Sequence, residues 1–90
     1  MRLTYRILFS SDAEKTIVKL ERSMAKRIFN ALEQLRNNPF ENPNTKKMKG
    51  KEGDFFRLRV ANYRVIYEIK NEELIIYVVR LGPRGDIYKG

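Results

Sequence analysis

The stretch Phe55-Phe56-Arg57-Leu58-Arg59-Val60-Ala61-Asn62-Tyr63-Arg64-Val65-Ile66-Tyr67 carries the strongest structural pattern in the chain. β-Branched and aromatic residues flank the pair Ala61-Asn62, which reads as two strands joined by a tight turn. Successive side chains on a strand point to opposite faces, so Arg57 and Arg59 share a face opposite Leu58 and Val60. With a two-residue turn, Val60 lies across from Tyr63 and Arg59 from Arg64. Any even loop length keeps that parity, so Arg57, Arg59 and Arg64 are expected on one face. Two guanidinium groups about 5 Å apart repel by roughly 1–3 kcal/mol between surface and bulk-water dielectrics. A small domain stable by about 5–10 kcal/mol gains nothing from that. A bound anion would relieve it, and arginine grips phosphate in a bidentate geometry that lysine cannot copy.

Working back toward the start, Phe40 to Gly53 holds one proline, two glycines and the cluster Lys46, Lys47, Lys49 and Lys51. This reads as an irregular, basic, mobile loop. Before it, Ile28, Leu32 and Leu35 recur at spacings of four and three, with Met24 one turn earlier. That stripe predicts a helix from about Ser23 to Asn37, closed off by Pro39. Ser11-Asp12-Ala13-Glu14 fits a capping box that opens a shorter helix, about Asp12 to Leu20. Thr4 to Phe9 is β-prone and is expected to be a strand.

Working forward, Leu74 to Leu81 predicts a third strand of the carboxyl half, after Tyr63–Ile69, with Asn71-Glu72 at the turn. Gly82, Pro83 and Gly85 then break it and re-aim the chain, which bears Arg80, Arg84 and Tyr88. The order β-α-α-β-β-β implies an α+β fold, two helices packed on a small, mostly antiparallel sheet. At 90 residues, with no repeats or linkers, residues 1–90 are expected to form a single domain. Folding at this size removes only about 60% of the unfolded surface from water, so the core is thin.

Composition narrows the chemistry. The chain has no cysteine and no histidine. That removes disulfides, thiol nucleophiles, the commonest metal ligand and the commonest neutral-pH acid/base. Catalysis would fall to Tyr, Lys, Arg, Asp, Glu, Ser or Thr. Nineteen Lys and Arg against eleven Asp and Glu give a net charge of +8, which favours polyanionic partners. No apolar run reaches the roughly 18 residues that span a bilayer, and Met1 to Phe9 lacks a signal-peptide layout. A cytoplasmic location is therefore expected.

Taken together, Lys47-Met48-Lys49-Gly50, Arg57-x-Arg59, Tyr63-Arg64-Val65-Ile66-Tyr67, Gly82-Pro83-Arg84 and Tyr88 make the chain resemble the RelE toxin family. That family is part of the RelE/ParE superfamily of bacterial and archaeal toxin–antitoxin systems. The likeness covers essentially the whole chain, since the strand–helix–helix start also fits. It implies an endoribonuclease that cuts messenger RNA in the ribosomal A site without metal or cofactor. The RNA's own 2′-hydroxyl would be the nucleophile, leaving a 2′,3′-cyclic phosphate and a 5′-hydroxyl. The implied partners are the ribosome, mRNA and a cognate antitoxin, a short acidic or amphipathic chain covering the basic face or displacing the tail. No membrane partner is implied.

The family's catalytic positions fall on Arg57, Arg59, Arg64, Arg84 and Tyr88. Lys46, Lys47, Lys49, Lys51 and Arg80 are expected to contact RNA or the ribosome. Arg57 and Arg64 would grip the scissile phosphate, and Arg59 would offset charge growing on its oxygens. Tyr88 would take the 2′-hydroxyl proton, its phenolate favoured by surrounding guanidinium groups, and Arg84 would stabilise the departing 5′-oxygen or protonate it, although arginine is a poor acid. Some relatives carry lysines where this chain has Arg57 and Arg59, and others use a histidine, which is absent here. Two other readings stand beside this one: a ParE-like inhibitor of DNA gyrase acting by binding alone, and a non-catalytic nucleic-acid-binding module.

Overall fold

The computed structural model describes residues 4–40, 42, 44–48 and 54–83. Its elements are β1 (Arg6–Phe9), α1 (Ser11–Val18), α2 (Arg22–Leu35), β2 (Thr45–Lys47), β3 (Phe55–Val60), β4 (Tyr63–Lys70) and β5 (Ile75–Pro83). The five strands make one sheet in the order β1-β5-β4-β3-β2. Only β1 and β5 run parallel; the other three pairings are antiparallel. The α+β class expected from sequence is the one observed, with seven elements where six were expected.

The extra element is β2, inside the segment expected to be an irregular loop. Asn42 shapes the turn before it: its side-chain oxygen accepts from the Asn44 amide at 2.9 Å, and its carbonyl accepts from the Thr45 amide at 3.0 Å. The short Thr-Lys-Lys strand then pairs with β3, Thr45 opposite Leu58 and Lys46 opposite Arg57. Lysines suit such an edge, where charge deters further strand pairing. The start of this segment is anchored as well. Pro39 is fully buried, its carbonyl accepts the Tyr67 hydroxyl at 2.9 Å, and Phe40 packs edge-on against Phe56.

Both helices begin earlier than expected. The N-cap of α1 is Ser10 rather than Ser11: its hydroxyl oxygen accepts from the Ala13 amide at 3.0 Å and donates to the Val79 carbonyl. Strand pairing therefore sets where the helix starts, since Ser10 is still extended beside β5. Asp12 and Glu14 sit in the first turn, where the helix dipole favours negative charge. Helix α2 starts at Arg22 without a side-chain cap. Its far end is tied to the start of β1, with the Tyr5 amide donating to the Arg36 carbonyl and Arg36 Nε donating to the Tyr5 carbonyl, both at 2.9 Å.

The core lies between the helices and one face of the sheet. Ala13 and Ile17 of α1 and Ile28, Leu32 and Leu35 of α2 bury against Phe56, Leu58, Val60, Val65, Tyr67, Ile69, Ile76, Val78 and Leu81. Val78 and Leu81 both reach this core although they are three apart, because the register shifts between Ile66 and Tyr67. Tyr67 opposes Val78, whereas Ile66 opposes Arg80, leaving Val79 as the extra residue of a bulge. Beyond the bulge, Arg80 and Gly82 fall in register with Ile66 and Arg64. Among the described residues no helix is long and apolar enough to cross a membrane.

Tyr67 is fully buried and stacks on Phe56 at 5.7 Å. Burial pushes its phenol well above the usual range, an effect only partly offset by the Thr45 side chain, so it is a packing residue and not a base. Tyr67→Phe strands the buried Pro39 carbonyl, so urea denaturation is expected to show a loss of about 1–2 kcal/mol.

Candidate functional site

The β3–β4 register is the one that the sequence implies. Val60 opposes Tyr63 and Arg59 opposes Arg64 across the Ala61-Asn62 turn, with Ala61 in the left-handed region at φ 54°. Two rows of residues cross the sheet on the face away from the core. One is Lys46, Arg57, Ile66 and Arg80; the next is Arg59, Arg64 and Gly82. Neighbours within a row are about 4.8 Å apart, and adjacent rows on one face lie about 6.6 Å apart along the strands. Lys46, Arg57, Arg59 and Arg64 thus converge on an area the size of a phosphate and its sugar.

These four basic residues, with Asn44 and Thr45, line a cleft of about 270 Å³. Among the described residues, no carboxylate lines it. Lys46, Arg59 and Arg64 take part in none of the ion pairs among the described residues, which are Arg36–Glu33, Lys47–Asp54, Lys70–Glu68 and Arg80–Asp12. Among the described residues the Arg64 guanidinium makes one hydrogen bond, a 3.4 Å approach to the Tyr63 carbonyl, and Arg59 is exposed. Guanidinium groups that have no counter-ion among the described residues, as Arg59 and Arg64 do, can bind an oxyanion such as a phosphodiester when a rigid sheet holds them. Gly82, opposite Arg64, has no side chain to fill the space beside it.

The remaining expected site residues divide. Lys47 alternates away from Lys46, stands opposite Phe56, and its Nζ lies 3.7 Å from Asp54. Arg80 lines another depression with Asp12, Lys15 and Thr16, and its guanidinium is 3.8 Å from the Asp12 carboxylate. Lys49, Lys51, Arg84 and Tyr88 lie outside the described residues. The sequence reading missed Asn44 and Thr45 at the rim. Their signal was present in Asn42-Pro43-Asn44-Thr45, a turn leading into a β-branched residue.

The family model described as "ParE toxin of type II toxin-antitoxin system, parDE" matches residues 7–88. The chain belongs to this toxin family. It is the toxin of a type II toxin–antitoxin system in the RelE/ParE superfamily. An Escherichia coli protein named as RelE-like toxin is 31% identical over 88 residues, covering 96% of this chain and 92% of the relative. The archaeal RelE–RelB complex from Pyrococcus horikoshii is similar at 27% identity and TM-score 0.80, over 91% of this chain and 97% of that one. The intact RelBE complex of Escherichia coli shares the fold at 22% identity and TM-score 0.78, over 88% of this chain and 95% of that one. In both complexes the RelE toxin is bound to its RelB antitoxin.

Because Arg59 and Arg64 oppose one another without a described counter-ion, relieving the pair should stabilise the empty toxin. Arg59→Thr is expected to raise urea stability by about 0.5 kcal/mol at low salt, the gain fading as salt screens the repulsion. Pyrophosphate should in turn stabilise the unsubstituted chain more than the variant. A variant less stable at low salt would show that this opposition is not a burden.

Proposed function

We propose that this toxin is a ribosome-dependent endoribonuclease that cleaves mRNA in the A site and so stops translation. The observation that carries this reading is the cleft itself: Lys46, Arg57, Arg59 and Arg64 around one volume, with no acidic residue among the described residues of its lining. A binding-only toxin needs no such concentration of charge on a single small cleft.

In this reading Arg57 and Arg64 hold the scissile phosphate in line with the 2′-hydroxyl that attacks it. The new bond joins the 2′-oxygen to phosphorus, and the bond from phosphorus to the 5′-oxygen breaks. Arg59 offsets the negative charge that grows on the non-bridging oxygens. Tyr88, as phenolate, accepts the 2′-hydroxyl proton, and Arg84 stabilises the 5′-oxygen as it departs. The register supports a role for this tail, because β5 ends with Gly82 opposite Arg64 and Pro83 opposite Tyr63, so the chain leaves the sheet beside the cleft. The products are a 2′,3′-cyclic phosphate and a 5′-hydroxyl. The RelB-bound relatives support a cognate antitoxin as the partner that holds this activity in check.

The description of the matching family favours a second reading, ParE-like inhibition of DNA gyrase without nuclease chemistry. A translation extract with mapped RNA ends separates the two. Unsubstituted toxin is expected to cut ribosome-bound messages, while Arg64→Ala and Tyr88→Phe each slow cutting by about 10²–10³-fold. Intact messages alongside blocked supercoiling would replace the nuclease with the gyrase reading. Intact messages with binding that weakens steeply in salt would leave a nucleic-acid-binding module.

A further inference from the structure

A second depression adjoins the arginine cleft. It is about 330 Å³ in volume and runs between α2 and the β3–β4 turn. Arg27, Asn30 and Gln34 line one wall, Ala31 lies between them, and Asn44 and Arg59 form the side shared with the arginine cleft. Positions 27, 30, 31 and 34 fall at helical spacing, so one face of α2 supplies that wall. The two depressions thus share Arg59 and Asn44 as a common rim.

The residue types in the second depression differ from those in the first. The arginine cleft offers cationic donors, which match phosphate oxygens. The depression beside α2 offers two guanidinium groups and three carboxamides, and among the described residues no carboxylate lines it. A phosphate only accepts hydrogen bonds, so the carbonyl half of each amide is wasted on it. A nucleobase edge presents donors and acceptors together, and amide side chains match such edges. Among the described residues the side chains of Arg27, Asn30 and Gln34 make no hydrogen bond or ion pair. All three are exposed, so they are available to a ligand at little cost in rearrangement. The position of Asn44 is also fixed: its carbonyl accepts the Arg59 amide at 2.8 Å, and its own amide is held by Asn42.

We propose that the depression beside α2 seats the base of the nucleotide next to the scissile phosphate, Asn30, Gln34 and Asn44 reading its edge while Arg27 meets the adjoining phosphate. This rests on the reading of the arginine cleft as an RNA phosphate site. It assigns base preference to α2 and the turn before β2, outside the residues placed in the chemistry.

The test uses the full chain and 2′-O-methyl RNA oligomers of two to seven nucleotides, which cannot supply the nucleophile, with anisotropy read at several salt concentrations. The unsubstituted toxin should gain affinity about tenfold from two to four nucleotides and discriminate among bases at one position. Asn30→Ala/Gln34→Ala should abolish that discrimination while keeping the salt slope. Arg27→Ala should weaken all sequences about tenfold and lower the slope by about 0.7. Exposed helix positions accept alanine readily, so these variants should fold. If they bind every oligomer as the unsubstituted chain does while Arg64→Ala binds more weakly, this depression is not a base site and the phosphate cleft stands. If Arg64→Ala also binds unchanged, the phosphate cleft falls and the base site with it. Base preference lost in the double variant, in a toxin that leaves messages intact, would uphold this site and overturn the nuclease.

Discussion

The two-residue connection at Ala61-Asn62 fixes the parity of the β3–β4 hairpin, and that parity governs both faces of the sheet. Leu58, Val60, Val65 and Tyr67 go to the helices, and Arg57, Arg59 and Arg64 go to the cleft. A slip of one residue would send guanidinium groups into the core and four large apolar side chains into water. Burying each of those side chains is worth about 1.5–3 kcal/mol. Repulsion between Arg59 and Arg64 is smaller than the sum, so the core holds the like charges together. The site is thus loaded by packing on the opposite face.

The distribution of ion pairs reinforces this. All four pairs among the described residues are partly exposed and are worth little to stability. Their significance lies in position. They attach Arg36, Lys47, Lys70 and Arg80 to carboxylates away from the arginine cleft, and Glu72 and Glu73 sit at the β4–β5 turn. A field concentrated in this way draws polyanions toward one patch, whether RNA or an acidic protein segment. Under the proposed function, phosphate binding and capture by an acidic antitoxin segment would meet on the same surface.

The hairpin and its register were legible because period-two alternation and a two-residue turn leave few alternatives. The buried stripe of Ile28, Leu32 and Leu35 was legible for the same reason, with period 3.6 in place of two. The missed features depend on partners distant in sequence. Thr45–Lys47 is a strand only because β3 offers an open edge. Ser10 caps α1 only because β1 stays extended beside β5, its hydroxyl bonded to Val79. The bulge at Val79 lets Val78 and Leu81 share the core, which no count along β5 alone would suggest. Even within the lysine cluster, strand alternation separates Lys46 from Lys47, a division invisible while the segment was read as a loop.

The fold is common to toxins of different chemistry, so function must be argued from the cleft. Arginine at positions 57 and 59 limits what the cleft can do. A guanidinium stays charged throughout the physiological range and does not yield a proton to a leaving group. Arg57, Arg59 and Arg64 can clamp a phosphodiester and offset the charge of its transition state, and no more. Under the proposed reaction the proton from the 2′-hydroxyl passes to Tyr88, and the 5′-oxygen must take its proton from water or the ribosome. Such a cleft would, under the proposed reaction, hold RNA more readily than it would cut it, because none of its three guanidinium groups supplies a proton.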